Sequence, residues 1–500
     1  MEVKTRKAPP RANAMLESLR GLGYSTPAAL ADIVDNSISA GANTVRIDFS
    51  WLENRSRVSV IDNGSGMSDP ELENALRLGD KNPLHQREPH DLGRFGMGLK
   101  TASFSQCRRL TVSSKKDGIV SCLRWDLDEI AADPNGEWLL HEGPAAGSEE
   151  FLEALTQMTT GTLVLWEVLD RVVTPGYIAD DFNDLIDATR AHLAMVFHRL
   201  LEGPNASLSL MLNGERIRPW DPFLAGHTAK TWNTPVAKFE TAFGRVELEA
   251  HVLPHKDMLS ADEFETAAGP GGWTAQQGFY VYRNRRLLVA GGWLGLGSGK
   301  PWNREEIYRL ARIRLDIPNT ADADWKIDVK KSTARPPVAL RPWLTRIAQD
   351  TRDRARRVFA FRGTATTALG KAPIEHAWRV DHTKAGVRYR IDFKHPVVAS
   401  VLELSGENDA LIKAMLRVIE ETVPIQRIWL DTAEQHDPPK AEFSGEPPEK
   451  VLEILKVLYQ DLRVRKGMTS EAAARVLLAT APFQNYPALV EQLAGEPGGK

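Results

Sequence analysis

The feature that most constrains the fold is an alternation of helix-like and strand-like segments within residues 13–125. Apolar residues recur there with the period of a helix or of a strand, and glycine-rich turns separate the segments. This pattern indicates an α/β domain. A stretch rich in Pro, Gly and acidic residues at 131–150 interrupts it before a strand resumes at 161–169, and we interpret that stretch as a surface insertion.

The rest of the chain predicts further domains. A helix-like run at 178–201 ends at Glu202-Gly203-Pro204, which is a helix-stop signal. Three strand-like segments follow, at 207–217, 245–253 and 278–288. They suggest a second α/β domain that closes with a helix near residue 360, before a linker-like stretch. We therefore expect three domains, at 1–175, 176–362 and 363–500, the last serving dimerisation or partner binding.

Composition excludes several classes of protein. The 500 residues are 42% hydrophobic and 26% charged with two cysteines, unlike a disulfide-rich secreted, collagenous or disordered chain. The N-terminus lacks the apolar core of a signal peptide, and the longest uncharged apolar stretch, 287–299, is too short to span a bilayer. We expect a cytoplasmic protein with no membrane partner, in which Cys107 and Cys122 are small buried residues. The net charge of -3 excludes a globally cationic nucleic-acid binder but not a local basic patch.

The first segment with chemical content is a helix signal. Thr26 is an N-cap type of residue, Pro27 follows at the first helical position, and Gly41 lies just past the end. Asp32 and Asn36 are four residues apart, so both project from one face of this helix. The carboxylate could polarise a water there while the amide oxygen binds a metal ion. Two solvated polar side chains are the simpler interpretation of the pair taken alone.

The second segment is Asp62-Asn63-Gly64-Ser65-Gly66-Met67, which follows a strand at 57–61. Asp62 offers a carboxylate acceptor beside glycines that leave the backbone bare enough for a flat ligand to approach. An ordinary hairpin turn explains the same residues when they are considered alone.

The third segment, at 91–105, carries Gly93, Gly96 and Gly98 ahead of a helix-like run. Closely spaced glycines at a helix N-terminus bind phosphates through backbone N–H groups. A P-loop is excluded because one extra residue separates the last glycine from the lysine. The dinucleotide-binding fingerprint is excluded because the glycine order here is G-x-x-G-x-G.

Together, the three segments resemble the GHKL superfamily, the ATP-binding fold of gyrase, heat-shock chaperones, histidine kinases and MutL. Its members carry a helix with acid-x-x-x-Asn, then D-x-G-x-G, then G-x-x-G-x-G, in this order. Gly161-Thr162 is similar to the Gly-Thr pair that closes the adenine pocket. The resemblance covers residues 13–170 and implies an α+β protein. It would have an N-terminal GHKL (Bergerat) α/β sandwich ATPase domain, an S5-like α/β transducer domain and a small mixed α/β C-terminal region.

The resemblance implies roles for the matched residues, with ATP and Mg²⁺ as cofactors. Asn36 would bind the Mg²⁺ that bridges the phosphates, Asp62 would accept a hydrogen bond from the adenine amino group, and Thr162 would support the adenine contact. Residues 68–92 would form a mobile lid. The other nucleotide contacts would come from Gly64, Gly66, Met67, Gly93, Gly96, Gly98, Lys100 and Thr101. An exposed helix lysine is the alternative interpretation of Lys100.

Asp32 departs from the family pattern. The hydrolytic members usually carry Glu at this position, and Asp is shorter by one methylene, about 1.5 Å of reach. Because Asp keeps the carboxylate, we expect slow ATP hydrolysis with Asp32 as the general base. Nucleotide binding with little turnover is the alternative.

Within the superfamily, the chain most resembles bacterial MORC and MutL-like proteins. GRFGMGLKTASFS at 93–105 is similar to the MORC phosphate loop, and YVYRNRRLL at 280–288 resembles the strand-and-Arg segment of MORC and MutL second domains. WKIDVKKS at 325–332 resembles the second-domain loop that sends a lysine to the γ-phosphate. Lys331 is the first choice for that lysine and Lys330 the second, with a solvated lysine pair as the alternative.

This resemblance implies an ATPase that closes as a homodimer clamp on ATP binding and acts on DNA, in antiviral defence, restriction or repair. Arginines within 352–362 would contact the phosphate backbone, although solvated helix arginines explain them equally well. No nuclease metal motif is visible after residue 360. A second hypothesis is a nucleotide-dependent module that recruits a partner effector protein without binding DNA itself.

Overall fold

The structure is a computed structural model. It describes residues 10–21, 23–79, 98–203, 206–229, 232–322, 324–328, 333–360, 375–383, 386–425, 428, 448–480 and 483–495. The chain divides into two compact units, Met1–Ala360 and Phe361–Lys500, which are considered separately below. None of the helices in these described ranges combines the length and the apolarity needed to cross a membrane.

The first unit begins with an eight-stranded sheet in the order β5-β4-β3-β6-β2-β1-β7-β8. Neighbouring strands are antiparallel except β1 and β7, which are parallel. The strands are β1 (Thr44–Ser50), β2 (Arg57–Asp62), β3 (Arg109–Lys116), β4 (Ile119–Asp126), β5 (His141–Glu142), β6 (Gly161–Glu167), β7 (Ser209–Leu212) and β8 (Glu215–Arg216).

Eight helices accompany this sheet within the described residues. They are α1 (Ala12–Arg20), α2 (Thr26–Ser39), α3 (Asp69–Leu76), α4 (Gly98–Phe104), α5 (Leu127–Ala132), α6 (Glu150–Thr156), α7 (Ala179–Val196) and α8 (His198–Leu201). Helix α2 packs against α4 and α7. Its apolar residues Leu30, Ile33 and Val34 join sheet residues such as Val60 and Trp166 in one buried core. This burial of apolar surface holds α2 against the sheet.

The first sheet extends beyond the domain boundary that was expected from the sequence at residue 175. The segment 207–217 was expected in the second domain, but its strands form the edge of the first sheet next to β1. Helix α7 also packs on α2. The first layer of sheet and helices therefore continues past residue 175. The expected surface insertion contains the end of α5 and the short strand β5.

A second sheet completes the first unit. It has the order β10-β11-β14-β12-β13, with β9 paired to β11. The strands are β9 (Trp232–Asn233), β10 (Ala237–Thr241), β11 (Gly244–Val252), β12 (Gly278–Arg283), β13 (Arg286–Ala290) and β14 (Ala311–Ile317), and the helices are α9 (Ala261–Ala268), α10 (Gly272–Ala275) and α11 (Arg341–Ala360). Leu344 and Ala348 of α11 share a core with Leu248 and Ile313 of the sheet.

The second unit contains a two-stranded hairpin and several helices. The hairpin pairs β15 (Trp378–Thr383) with β16 (Gly386–Ile391). The helices are α12 (Pro396–Leu404), α13 (Asp409–Glu421), α14 (Pro448–Gln460), α15 (Ser470–Leu478) and α16 (Pro487–Gly495). A small core that includes Val451, Leu477 and Val490 joins the last three helices. The chain thus combines an N-terminal α/β sandwich with further α/β regions, as the sequence predicted.

Candidate functional site

Helix α2 presents Asp32 and Asn36 one turn apart, as the sequence predicted. Asp32 is 4% exposed, whereas Asn36 is exposed. The Tyr24 hydroxyl donates a hydrogen bond to Asp32 Oδ2 over 3.1 Å. Burial and the charge of Asp32 raise the pKa of Tyr24, so the phenol keeps its proton and remains a donor. The site therefore holds a buried, oriented carboxylate next to an amide side chain that solvent can reach.

Helix α4 brings the last glycine of the third motif to this carboxylate. A Cβ placed on Gly98 would lie 3.9 Å from Asp32 Oδ2. Thr101 is fully buried in the same helix and its side chain hydrogen-bonds with that of Tyr24. Gly93 and Gly96 lie outside the described residues.

Lys100 is 2% exposed, so it is not an exposed helix lysine. Its Nζ donates to the backbone carbonyls of Ala75 and Arg77, over 2.9 and 2.8 Å, where helix α3 ends. A cation there stabilises the negative end of the helix dipole. In the expected lid at 68–92, the described part contains helix α3, whose last carbonyls bind Lys100. The remainder of that lid, residues 80–92, lies outside the described residues. A phosphate contact by Lys100 stays a prediction.

The second motif lies at the end of β2, where Asp62 is buried. Ser37 Oγ donates to Asp62 Oδ2 over 2.7 Å, and the Gly64 backbone N–H donates to Oδ1 over 2.8 Å. Thr162 contributes a further backbone hydrogen bond. Burial raises the pKa of Asp62 although these hydrogen bonds oppose the rise. Helix α2 therefore carries one buried carboxylate, Asp32, and hydrogen-bonds to the other, Asp62, through Ser37.

Close backbone approaches explain Gly66 of this motif and Gly161 at the start of β6. Gly66 has φ +67°, and a Cβ there would lie 2.0 Å from the backbone oxygen of Lys115. A Cβ on Gly161 would lie 2.2 Å from the backbone oxygen of Asp62. Only glycine fits such distances between neighbouring backbones.

Met67 and Thr162 are tied to the same corner by Ser114. The Ser114 hydroxyl accepts a hydrogen bond from the Met67 backbone N–H at 2.8 Å. It also lies 2.9 Å from Thr162 Oγ1. The structure therefore brings Asp62, Gly64, Gly66, Met67 and Thr162 into one corner of the sheet.

Sequence reasoning missed Tyr24, Ser37 and Ser114, and it included Arg286 in the segment 280–288 without giving it a role. Ser37 had a usable signal, because it follows Asn36 on a helix already singled out. Tyr24 and Ser114 stand in no motif. Arg286 is separated from its partners on α2 by about 250 residues: its Nε lies 3.1 Å from Asp35 Oδ2, and its Nη2 lies 3.7 Å from Asp32 Oδ1.

Comparison with known proteins finds relatives of the N-terminal region. A family model described as histidine kinase-, DNA gyrase B- and HSP90-like ATPase matches residues 24–162. ATPase morc-1 of Caenorhabditis elegans is 35% identical over 95 residues, which are 19% of this chain and 11% of that protein. ATPase MORC2B of Mus musculus is 33% identical over 101 residues, 19% of this chain and 10% of that protein. The chain thus covers about a tenth of the length of these curated relatives.

The N-terminal region is a GHKL-type, MORC-like ATPase domain. ATP is the ligand that such a domain implies, typically with Mg²⁺. The site fits both: Asp62 is a buried carboxylate acceptor, and Asn36 is an exposed amide of the kind that Mg²⁺ accepts as a ligand. The described residues contain no group of three or more His, Cys, Asp or Glu side chains that could hold a metal. A Mg²⁺ here would therefore depend on few protein oxygens, together with phosphates and water.

Two expectations beyond the GHKL domain have different outcomes. Lys330 and Lys331 lie outside the described residues, but Asp328, just before them, lies near enough to Tyr24 for its charge to raise the pKa of that phenol. One arginine at the basic end of α11 is not available: Arg352 is 4% exposed, and its guanidinium lies 3.8 Å from the ring centre of Tyr308. Arg354, Arg356 and Arg357 are exposed.

Proposed function

We propose that the chain is an ATP-binding protein that hydrolyses ATP slowly and closes as a dimer when nucleotide binds. The observation that carries this proposal is the buried Asp32 carboxylate, hydrogen-bonded by Tyr24, one turn from the exposed Asn36. A carboxylate held in this way can orient a water and take its proton. Bound Mg²⁺ would neutralise phosphate charge, with Asn36 as its protein ligand.

The adenine end supports ATP as the ligand. Asp62 has its oxygens fixed by Ser37 and Gly64, and one carboxylate can accept several hydrogen bonds. It would accept a further one from the adenine amino group. Gly64, Gly66, Met67 and Thr162 would surround the base, while Gly93, Gly96, Gly98 and Thr101 would lie toward the phosphates.

Hydrolysis tests the role of Asp32. We expect Asp32→Asn to lower turnover by about 10²- to 10⁴-fold, because the amide cannot take a proton. Affinity for a non-hydrolysable ATP analogue should change little. Asp62→Asn is the matched variant, and it should lower that affinity by about 10- to 100-fold because a charged acceptor is lost. Equal turnover of wild type and Asp32→Asn would remove Asp32 from the mechanism.

The second sheet would transmit the nucleotide state as a transducer. We propose Lys331, or else Lys330, as the residue that meets the γ-phosphate, and the position of Asp328 near Tyr24 supports a return of this loop to the site. Lys331→Ala should lower hydrolysis while leaving nucleotide affinity less affected. Unchanged turnover would refute this assignment.

The process served by the clamp would involve DNA, as in antiviral defence, restriction or repair, in the cytoplasm. The chain has a net charge of -3, so we expect local contacts with DNA that depend on dimer closure. Salt-dependent DNA binding measured with and without a non-hydrolysable ATP analogue tests this. Binding that appears only with the analogue supports the clamp.

A second candidate is a module that recruits a partner effector protein. Helix α13 favours it, because Leu411, Met415 and Val418 are 70%, 52% and 61% exposed on that helix. Exposed apolar clusters mark interaction surfaces in soluble proteins. The absence of DNA binding under both conditions of the preceding experiment would favour this candidate.

A further inference from the structure

Arg286 enters the ATPase site from the second sheet. It is the first residue of β13, directly after a two-residue turn from β12. The turn residues Asn284 and Arg285 both have positive φ, 48° and 70°. Such turns match the twist of a tight hairpin and fix the direction in which the next strand leaves. The hairpin thereby sets the backbone position of Arg286.

The guanidinium of Arg286 contacts two carboxylates of α2. Its Nε lies 3.2 and 3.1 Å from the two oxygens of Asp35, and its Nη2 lies 3.7 Å from Asp32 Oδ1. Nη1 donates to the backbone carbonyl of Leu287 over 2.6 Å, which restrains the plane of the group. Arg286, Asp32 and Asp35 are 4%, 4% and 2% exposed. Because these side chains are buried, solvent screens their electrostatic interactions poorly, and the ion pairs restrict the orientations of the two carboxylates.

Two neighbouring titratable groups add no charge to this cluster. Burial and then the charge of Arg286 lower the pKa of His192 to about 4, while the charge of Asp35 opposes the fall. His192 is therefore neutral at pH 7. Tyr24 is also neutral because its pKa is raised. Arg286 lies between the side chains of Asp32 and Asp35, so its guanidinium offsets repulsion between the two carboxylates.

We propose that Arg286 is a positioning residue that orients Asp32 for ATP hydrolysis. Tyr24 restrains Oδ2 of that carboxylate and Arg286 lies beside Oδ1, so the two groups together fix its plane. Because Asp is shorter than the Glu of other hydrolytic GHKL members, its orientation has less tolerance. Arg286 acts through Asp32 and Asp35. This inference rests on the proposed ATPase function, and it makes the second sheet part of the hydrolytic site.

A charge-balanced double variant tests the proposal. Arg286→Gln with Asp35→Asn removes one positive and one negative charge, so the cluster keeps its net charge while Asp32 loses the guanidinium. We expect the turnover number to fall at least about 10-fold, the scale of a small misplacement of a reacting group. Affinity for a non-hydrolysable ATP analogue should stay within about threefold, because Asp62 is untouched. Unchanged turnover would overturn the proposal.

The matched control is an ion pair in the same second sheet that does not touch α2. Arg314 Nη1 lies 2.9 Å from Glu249 Oε2. The double variant Arg314→Gln with Glu249→Gln should leave turnover within about twofold of wild type. An equal loss in both double variants would show that any damaged ion pair in this sheet impairs hydrolysis, which would overturn a specific role for Arg286.

Two further measurements separate positioning from a purely structural role. In an Asp32→Asn background, loss of Arg286 should cause no additional fall in turnover, because the residue acts through that carboxylate. The second measurement, the thermal midpoint of unfolding, does not depend on hydrolysis. Arg286→Gln should lower this midpoint less in the Asp32→Asn background than in wild type, because the two side chains interact. Additive changes in the midpoint would overturn the inference. A wild-type protein without hydrolysis would overturn the proposed function, and the thermal comparison would still decide whether Arg286 is coupled to Asp32.

Discussion

At the residue scale, the corner proposed to bind adenine depends on distances that only glycine permits. Strand β6 lies between β2 and β3, and the backbone leaving β2 passes next to Lys115 of β3. Gly66 has a positive φ and a backbone oxygen where a Cβ would lie. Backbone packing alone therefore requires Gly66, the second glycine of D-x-G-x-G, whether or not a nucleotide is bound.

We predict that Gly66→Ala destabilises the protein by at least about 2 kcal/mol, because the new Cβ meets a sheet backbone that cannot move away. Gly79→Ala is the matched control. Gly79 also has a positive φ, +79°, but no atom lies within 4 Å of its Cβ position. It should cost only about 1 kcal/mol, the conformational penalty alone. Denaturant unfolding measures both, and equal losses would contradict a steric cause.

At the scale of elements, α2 connects the parts of the site. Its apolar face fixes it to the sheet through residues such as Ile33 and Val34. Elsewhere on the helix, Asp32 contacts Tyr24 and Arg286, and Ser37 donates a hydrogen bond to Asp62. One helix thus holds the proposed hydrolytic carboxylate, Asp32, and restrains the proposed adenine acceptor, Asp62. A rotation of α2 would change both.

A second link between layers is pH-sensitive. His198 begins α8, is 6% exposed, and its Nε2 lies 2.7 Å from the hydroxyl of Tyr282 on β12. Burial lowers the pKa of His198 from 6.5 to about 4. Between these values the unfolded chain binds the proton and the folded chain does not. The contribution to stability is therefore complete above pH 6.5 and is lost as the pH falls toward 4.

We predict that His198 makes the free energy of unfolding fall by up to about 3 kcal/mol between pH 6.5 and 4. His198→Gln lacks the titrating group, so it should show a shallower fall over the same range. Urea unfolding of both proteins at several pH values measures the difference. Parallel curves for wild type and variant would show that His198 does not contribute.

At the scale of the whole molecule, we predict a nucleotide-dependent change of assembly. A non-hydrolysable ATP analogue with Mg²⁺ should convert wild type from monomer to dimer, because nucleotide stabilises the closed state by its differential affinity. Light scattering after size-exclusion chromatography measures the mass. Asp62→Asn should remain monomeric at an analogue concentration that saturates wild type. The same assembly state with and without analogue would contradict the clamp.

Much of the site could be predicted from the sequence. Helix and strand periods, caps and glycine spacing are local properties, and they identified α2, β2 and an N-terminal α/β domain. The order of the three motifs then showed a resemblance to the GHKL superfamily. That resemblance, rather than the local patterns alone, implied the sandwich fold, the nucleotide site and the roles of Asp32, Asn36 and Asp62.

Only the tertiary structure decided the partners of these residues. Lys100 follows the glycines in sequence, yet its amine bonds to carbonyls at the end of α3. Strands β7 and β8 join the first sheet, and Arg352 is buried against aromatic rings. Arg286 reaches Asp35 across about 250 residues of chain. Such contacts depend on how separate sheets and helices pack, and no spacing of neighbouring residues encodes them.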